Sequence, residues 1–276
     1  MTARGNSAND MTDAFDFTQQ PRPPLILNGT GSPYPPTPQS LVHPVGTLIA
    51  TNAGYGTYAL APDAIASLYG AGLAATTQVA ASIPLPVSLA GVSVTVKDAA
   101  GASRSAPLFF VSANQVNCLI PSGTASGIAT ITLTNGTLTS VGTASIGPTA
   151  PAVFTANSAG YGPLAAQVVV GSTFTNTSQC TGGQCVPVPI YLNTATNSTF
   201  LLLYGTGIRH VSSIAAVDVK VGNIDAPVHY AGAQQQFAGL DQVNVALPVA
   251  LEGRGQLVVT ITVDGQTTNM GVISFQ

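Results

Sequence analysis

The sequence predicts an all-β fold made of two tandem β-sandwich modules behind a proline-rich leader. Three observations carry this prediction: apolar and polar residues alternate over short runs, turn residues recur between those runs, and four blocks of sequence occur twice in the same order. The chain has 276 residues, of which 45% are hydrophobic, and this is enough to bury one large or two medium cores. The expected boundaries are 1–45 for the leader, 46–148 for the first module and 149–276 for the second.

The leader differs in texture from the rest of the chain. Eight prolines lie between residues 21 and 44, and they preclude helix and most ladder pairing, so we expect an extended or disordered segment. A short apolar run, Leu25-Ile-Leu27, is a candidate edge strand or donor strand for another chain.

The internal repeat defines the two modules. Its offset is about 130 residues, and its four pairs keep the same order, which is hard to obtain by chance. The pairs are Ile65-Ala-Ser-Leu-Tyr-Gly-Ala-Gly-Leu73 with Leu201-Leu-Leu-Tyr-Gly-Thr-Gly-Ile208, Val92-Ser-Val-Thr-Val-Lys97 with Val217-Asp-Val-Lys-Val-Gly222, Gln115-Val-Asn-Cys-Leu-Ile-Pro121 with Gln242-Val-Asn-Val-Ala-Leu-Pro248, and Ala129-Thr-Ile-Thr-Leu-Thr-Asn-Gly136 with Val259-Thr-Ile-Thr-Val-Asp-Gly265.

Each block has the pattern of a strand or a hairpin. Val92, Val94 and Val96 alternate with polar residues, which predicts a half-buried strand. Asn135-Gly136 and Asp264-Gly265 stand between alternating runs and predict hairpin turns. Helical periodicity is nearly absent, and we expect at most one turn of helix, over 62–68.

Residues that recur in both copies are interpreted as parts of the module. The glycines after the two tyrosines are expected to adopt positive φ or to pack closely against backbone at a strand end. The Gln-x-Asn amides share a strand face and suit bonds to the backbone of a neighbouring loop. Cys118 aligns with Val245 and is expected to fill a core position. The repeat residues are Tyr69, Gly70, Gly72, Tyr204, Gly205, Gly207, Gln115, Asn117, Gln242 and Asn244.

Cys180 and Cys185 bracket a flexible tetrapeptide, Thr-Gly-Gly-Gln, so a disulfide is the favoured interpretation. Two free thiols are the alternative. The third interpretation is that the two cysteines form half of a metal site, but the sequence has no second Cys or His pair to complete it.

The low charge excludes several classes of function. Charged residues make up 6% of the chain, against about 25% in an ordinary soluble domain. Seven Lys and Arg residues cannot form a basic stripe, so nucleic acid is not an expected partner. No uninterrupted apolar stretch reaches the roughly 18 residues of a membrane span, so we expect no membrane insertion. Residues 1–20 also lack the apolar region of a signal peptide. We therefore expect either a cytoplasmic chain or a segment of a longer protein whose export signal lies elsewhere, and the cysteines favour the second.

We predict no enzyme activity, no cofactor and no metal. Glu252 is the sole glutamate, the aspartates and histidines are scattered, and no G-x-S-x-G motif occurs. Gly70-Ala-Gly-Leu-Ala-Ala75 fits the dinucleotide fingerprint, but the acidic residue expected about 20 positions later is missing.

Five segments between about residues 51 and 276 form one set of motifs. They are Leu68-Tyr-Gly-Ala-Gly-Leu73, Pro84-Leu-Pro-Val-Ser-Leu-Ala-Gly-Val-Ser-Val-Thr-Val96, Ala106-Pro-Leu-Phe-Phe-Val-Ser-Ala-Asn-Gln-Val-Asn117, Ile120-Pro-Ser-Gly123 and Pro151-Ala-Val-Phe-Thr-Ala-Asn-Ser-Ala-Gly-Tyr-Gly162. Their order and spacing resemble the uncharacterised Solibacter-type C-terminal domain family, which is abundant in exported proteins of acidobacteria. Cys118 and the 180–185 insertion depart from the family pattern. The resemblance implies tandem immunoglobulin-like modules of a large secreted or surface protein, and it carries over no functional residue.

The sequence therefore favours a non-catalytic extracellular or cell-surface protein for adhesion, spacing or assembly, whose export signal lies outside this chain. Its expected partners are other protein chains or surface glycans, including copies of itself in an oligomer or a filament formed by strand addition. The alternative is a carbohydrate-binding module, although the chain has no tryptophan. The rings available for it are Tyr55, Tyr58, Tyr161, Tyr191, Tyr204 and Tyr230.

Overall fold

The structure is a computed structural model that describes residues 45–55, 57–136, 138–192 and 199–276. Within these ranges the secondary structure is β-strand, with two short 3₁₀ turns and no α-helix, which confirms the all-β prediction. The same residues contain no helix with the length and apolar character of a membrane span. The leader, with its candidate strand Leu25-Ile-Leu27, lies outside the described residues.

The first half of the chain forms strands β1–β11. Their bounds are β1 Ile49–Asn52, β2 Ala59–Leu60, β3 Ile65–Tyr69, β4 Gln78–Val79, β5 Ser88–Leu89, β6 Val92–Lys97, β7 Ser103–Ser105, β8 Leu108–Val111, β9 Gln115–Leu119, β10 Gly127–Thr134 and β11 Thr139–Ile146.

The second half forms β12–β25. The 3₁₀ turns are Ile214–Ala216 and Val249–Leu251, and the strands are β12 Ala152–Val153, β13 Ala166–Val170, β14 Thr173–Asn176, β15 Ser178–Thr181, β16 Gln184–Pro187, β17 Pro189–Ile190, β18 Thr199–Thr206, β19 Val217–Val221, β20 Ile224–Asp225, β21 Val228–Ala233, β22 Asp241–Ala246, β23 Gly255–Val263, β24 Gln266–Thr267 and β25 Gly271–Phe275.

These strands make four larger sheets, two from each half. Sheet I has the order β1-β3-β9-β8-β4, and sheet II has the order β2-β11-β10-β6-β5, with β7 on β6. Sheet III has the order β14-β13-β18-β22-β21, with β12 on β18, and sheet IV has the order β17-β25-β23-β19-β20, with β24 on β23. Strands β15 and β16 form a separate hairpin. No described sheet mixes strands from β1–β11 with strands from β12–β25.

The period-2 patterns place the strands as predicted. Strand β6 alternates strictly between buried and exposed residues, with Val92, Val94 and Val96 inside. Asp264 and Gly265 both have positive φ and join β23 to β24 through a two-residue turn, which is the geometry of a type I′ hairpin. Asn135-Gly136 likewise lies between the paired strands β10 and β11. These predictions are confirmed.

The expected helical turn over 62–68 is wrong. Residues Ile65–Tyr69 form β3, which pairs with both β1 and β9. Four of its five residues are buried, and a strand buried on both faces has no alternation that periodicity could detect. Tertiary contacts therefore decide the conformation of this segment.

Each half has its own apolar core. One cluster of buried side chains runs from Leu48 to Ile146 and fills the space between sheets I and II. The other runs from Val153 to Phe275 and lies between sheets III and IV. Cys118 lies fully buried in the first cluster, and Val245 lies in the second.

Candidate functional site

The central strands of sheet I (β3, β9 and β8) are buried on both faces, and this locates the contact between the two halves. Its outward face carries Ile65, Phe109 and Phe110, which form a small cluster with Phe154 from the second half. Gly239 lies in the loop between β21 and β22. A Cβ on Gly239 would lie 2.5 Å from Cγ1 of Ile65, so the backbone of this loop contacts sheet I directly. By contrast, β22 in sheet III keeps alternate residues partly exposed. We call this contact the junction.

Within the described residues, hydrogen bonds of Thr206, Asn52 and His210 cross the junction. The Ile65 amide donates to Thr206 Oγ1 at 2.9 Å, and the same hydroxyl donates to the Gly239 carbonyl at 2.8 Å. Thr206 and Ile65 are both fully buried. The Thr206 hydroxyl therefore satisfies one backbone donor of the first half and one backbone acceptor of the second.

Asn52 and His210 supply the other two contacts. Asn52 Nδ2 donates to the Ala150 carbonyl at 2.8 Å, and Asn52 is buried. His210 Nε2 lies 2.9 Å from Asp63 Oδ2 in a more exposed position. The scatter of the histidines along the sequence gave no sign of the His210–Asp63 pair. His229, the second described histidine, instead makes an edge contact with Phe200 at 5.4 Å between ring centroids.

Two tyrosine-bearing turns meet beside the junction. The tetrapeptide Ala-Gly-Tyr-Gly occurs at residues 53–56 and again at 159–162, and it is a repeat that the four-block comparison missed. The ring of Tyr55 lies against Gly160, because a Cβ there would come within 3.1 Å of Tyr55 Cδ2. Tyr161 follows directly, and both tyrosines are about half exposed, at 51% and 47%.

The backbone of both turns is held by buried amides and hydroxyls. Asn269 Nδ2 donates to the carbonyls of Val153 and Gly160, each at 2.9 Å. The Gly160 amide donates to Thr155 Oγ1, and the Gly54 amide donates to Asn52 Oδ1. These bonds fix the turns that carry the tyrosines.

The other tyrosines named for a carbohydrate site lie in different settings. Tyr204 is buried and its hydroxyl donates to Gln167 Oε1, so it offers no surface ring, and its inclusion among the available rings is wrong. Burial also raises its pKa to about 12. Tyr58 and Tyr191 are exposed, and the Tyr191 hydroxyl donates to Gln276. Tyr230 donates to its own strand at Ala233.

Cys180 and Cys185 form a disulfide, as predicted. They face each other across the β15–β16 hairpin, and Cys180 Sγ lies 3.7 Å from the Ala156 carbonyl, in the segment that leads to Tyr161. A bridge that closes so short a loop contributes about 2 kcal/mol through the unfolded state.

The repeated glycines meet close backbone or adopt positive φ. A Cβ on Gly70 would lie 2.9 Å from the Thr47 carbonyl oxygen, and one on Gly205 would overlap the Ala152 carbonyl oxygen. Gly72 and Gly207 have φ of +66° and +75°. Tyr69 precedes the first pair, and burial raises its pKa to about 12.

The Gln-x-Asn amides bond to each other along their strands. Gln115 Nε2 donates to Asn117 Oδ1 at 2.8 Å, and Gln242 Nε2 donates to Asn244 Oδ1 at 2.6 Å. The partner is thus the neighbouring amide two residues along, and not a loop backbone as expected. The first pair is buried in sheet I, whereas the second pair is half-buried in sheet III.

The ionisable groups are dispersed. Among the described residues, no three His, Cys, Asp or Glu side chains are grouped as metal ligands would be. Burial raises the pKa of the Cys118 thiol to about 12, which disfavours the thiolate form that a nucleophile needs.

Two carboxylates hold loops in place. Asp241 Oδ2 accepts from the amides of Ile208 and Arg209, and its Oδ1 accepts from Arg209 Nε at 2.6 Å. Burial raises the pKa of Asp241, and the Arg209 guanidinium and the two amides oppose that rise. Asp98 accepts from the amides of Ala102 and Ala125 and from Arg104.

Asp98 provides a pH prediction. The Ala125 amide, with Arg104 and the Ala102 amide, holds the pKa of Asp98 below its ordinary value of about 4, against the opposing effect of burial. A lowered folded-state pKa gives stability that is present above the unfolded-state pKa and lost as pH falls through the folded-state pKa. As the pH is lowered below about 4, we expect the melting temperature to decrease, and to decrease less steeply in Asp98→Asn than in the wild type.

The control for this prediction is Asp218→Asn, because the Asp218 side chain is 59% exposed. The control should keep the wild-type acid slope in a calorimetric pH series. Equal slopes in wild type and Asp98→Asn would contradict the role given to Asp98.

Comparison with known proteins gives only distant likeness. No protein-family profile and no curated protein matches the chain. Among solved structures, the full extracellular region of plexin A4 (domains 1 to 8) is 11% identical with a TM-score of 0.25, and the match covers 79% of this chain and 17% of that one. SGBP-B from a complex xyloglucan utilization locus in Bacteroides uniformis is 10% identical with a TM-score of 0.24, covering 83% and 48%. The match thus covers less than half of the length of either of these two solved structures.

Proposed function

We propose that this protein is a non-catalytic extracellular spacer and adhesion element, made of two immunoglobulin-like β-sandwich modules joined as one stiff unit. The observation that carries the proposal is the junction. Its outward-facing aromatic cluster, the shared Thr206 hydroxyl and the buried Asn52 amide tie the halves together over both apolar and polar contacts. A flexible linker between independent domains has no need of buried, fully partnered groups of this kind.

Two further features support an extracellular setting. The Cys180–Cys185 disulfide is of the kind that persists in oxidising compartments. The sequence motifs that resemble the Solibacter-type C-terminal domain family point the same way, because that family occurs in exported proteins. Assembly by strand addition remains a prediction, for which the fully exposed edge strand β14 is the candidate partner edge.

Removal of the Thr206 hydroxyl tests the stiffness of the tandem. Thr206→Val keeps the shape of the side chain but leaves the Ile65 amide and the Gly239 carbonyl without their partner, at a cost of about 1–3 kcal/mol. We expect a larger radius of gyration and a broader distance distribution in small-angle X-ray scattering, with the strand content unchanged in circular dichroism.

Thr262→Val is the matched control, because it removes a hydroxyl that faces Thr267 within sheet IV, away from the described junction bonds. It should leave the scattering curve unchanged. A wild-type curve that already requires many relative orientations of the halves would contradict the spacer proposal.

The extracellular setting has its own test. Protease treatment of intact source cells should release fragments of this chain while a cytoplasmic marker stays intact. Protection of the chain until the cells are lysed would contradict surface exposure.

A further inference from the structure

We propose that the two turns that carry Tyr55 and Tyr161 form a binding site for a neutral oligosaccharide, with these tyrosines as the rings on which sugar faces stack. The turns come from different halves of the chain, yet the ring of Tyr55 rests on Gly160, the residue before Tyr161. The fold therefore brings two half-exposed tyrosines to adjoining positions.

The site is built before any ligand arrives. Gly160 has φ of +74°, which favours glycine, and a Cβ there would lie 3.1 Å from Tyr55 Cδ2, so a larger residue would crowd the ring. Its carbonyl receives a bond from buried Asn269, and its amide donates to buried Thr155. Fixed backbone beneath exposed rings lowers the ordering cost of binding, which is the usual advantage of preorganisation.

The chemistry of the turns favours a neutral, polyhydroxylated ligand. Segments 51–58 and 154–162 contain no Asp, Glu, Lys, Arg or His. Tyrosine presents an apolar ring face with a negative quadrupole, which attracts the C–H groups on the face of a pyranose ring, and a hydroxyl that bonds sugar hydroxyls. Asn157 lies exposed in the second turn, where its Oδ1 accepts from the Ala159 amide at 3.2 Å and its Nδ2 can donate to a ligand hydroxyl.

The size of the patch favours a short glycan over a protein partner. A tyrosine ring offers about 200 Å² in all, so two half-exposed rings present roughly 200 Å². A stable protein interface buries about 800 Å² on each partner. Two or three sugar residues match the smaller area.

The oligosaccharide site specifies the class of ligand for the adhesion role proposed above. It depends on that role only for the extracellular setting in which the glycan would be met. Because the two rings come from opposite sides of the junction, a bound glycan should also stabilise the junction by mass action. Absence of glycan binding by the wild-type protein, together with scattering that fits one rigid body, would overturn this proposal alone and leave the spacer standing.

The test is a binding titration with the full chain. The probes are soluble neutral polysaccharides (β-glucan, galactomannan and arabinoxylan) and acidic ones (alginate and polygalacturonate), compared by affinity electrophoresis. Tyrosine emission gives a second readout in solution, because the chain has no tryptophan to mask it. We expect retardation by at least one neutral polysaccharide and none by the acidic pair.

Variants assign the binding to the two rings. Tyr55→Ala and Tyr161→Ala should each weaken binding about tenfold or more, since each removes most of one stacking surface. Tyr55→Phe and Tyr161→Phe keep the rings and should stay within about threefold of wild type. Tyr191→Ala is the matched control, because Tyr191 is 66% exposed and bonds Gln276 instead.

Each remaining outcome overturns the proposal. These outcomes are no binding to any neutral probe, binding to acidic probes only, an equal loss in Tyr191→Ala, and full binding by the two alanine variants. Capture of a protein partner that depends on Tyr55 and Tyr161, without glycan binding, would also replace the proposed ligand class with another. Circular dichroism of every variant guards against loss of the fold as the cause.

Discussion

Replacement of Gly207 by alanine is expected to lower the free energy of unfolding by about 3 kcal/mol or more. Gly207 has φ of +75°, a backbone conformation that costs an L-residue about 1–2 kcal/mol. A Cβ there would also overlap the carbonyl oxygen of Ala150, which belongs to the segment joining the two halves. Backbone cannot move aside as a flexible side chain can, so the overlap adds an overpacking cost of about 1–3 kcal/mol.

The repeat supplies the control. Gly72 stands at the same place in the first copy and has φ of +66°, but a Cβ there would meet only Leu138 Cδ2, at 3.8 Å. Gly72→Ala should therefore cost only the backbone strain of about 1–2 kcal/mol. Urea unfolding followed by circular dichroism compares the two variants. Equal losses would show that the contact with Ala150 is not what makes Gly207 necessary.

Loss of the Asp241 carboxylate is the second large effect, and we expect Asp241→Ala to cost about 3–5 kcal/mol. The Asp241 side chain is fully buried and accepts from the amides of Ile208 and Arg209 and from the Arg209 guanidinium. Alanine would leave these donors unpartnered in a poorly solvated place. Asp241→Asn should lie between alanine and wild type, because its amide oxygen can still accept one of the bonds.

Asp225→Ala is the comparison for an exposed ion pair. Asp225 contacts Lys220 at the surface, where its side chain is 74% exposed, and such pairs contribute at most about 1 kcal/mol. The same urea unfolding assay applies to all three variants. A loss below about 1 kcal/mol for Asp241→Ala would contradict the structural role of the buried carboxylate.

Strand β6 could be predicted from the sequence because one face of its sheet is exposed. In β6 the alternation of valine with polar residues specifies both the strand and its inward face. The Asp264-Gly265 turn was readable because few residue pairs tolerate two successive positive φ values. Local chemistry is sufficient in these places.

The junction could not be predicted in the same way. Strand β3 is buried on both faces because Phe154 and the Gly239 loop, far along the chain, cover its outward side. Its sequence therefore shows no alternation, so periodicity allows a helical turn there, and only the internal repeat favours a strand. The Thr206 bond to Ile65 joins residues 141 positions apart, and no local pattern in either segment indicates that the two residues meet.

Only part of the candidate site could be predicted from the sequence. Tyr55 and Tyr161 were both among the candidate rings, but only the structure shows that they adjoin and that Tyr204 is buried. The repeated Ala-Gly-Tyr-Gly tetrapeptide was the available signal. This tetrapeptide does not align with the other repeat blocks, because its two copies are offset by 106 residues, from 53 to 159, whereas the other blocks are offset by about 130.

The most direct test of the stiff tandem is ¹⁵N relaxation of backbone amides in the strands of both halves. If the junction holds the halves as one body, a single rotational diffusion tensor should fit the amides of β6 and β10 together with those of β19 and β23. In Thr206→Val, a single diffusion tensor should fit the amides of the two halves less well than in the wild type. Two separate and shorter correlation times in the wild-type protein, one for each half, would contradict the account.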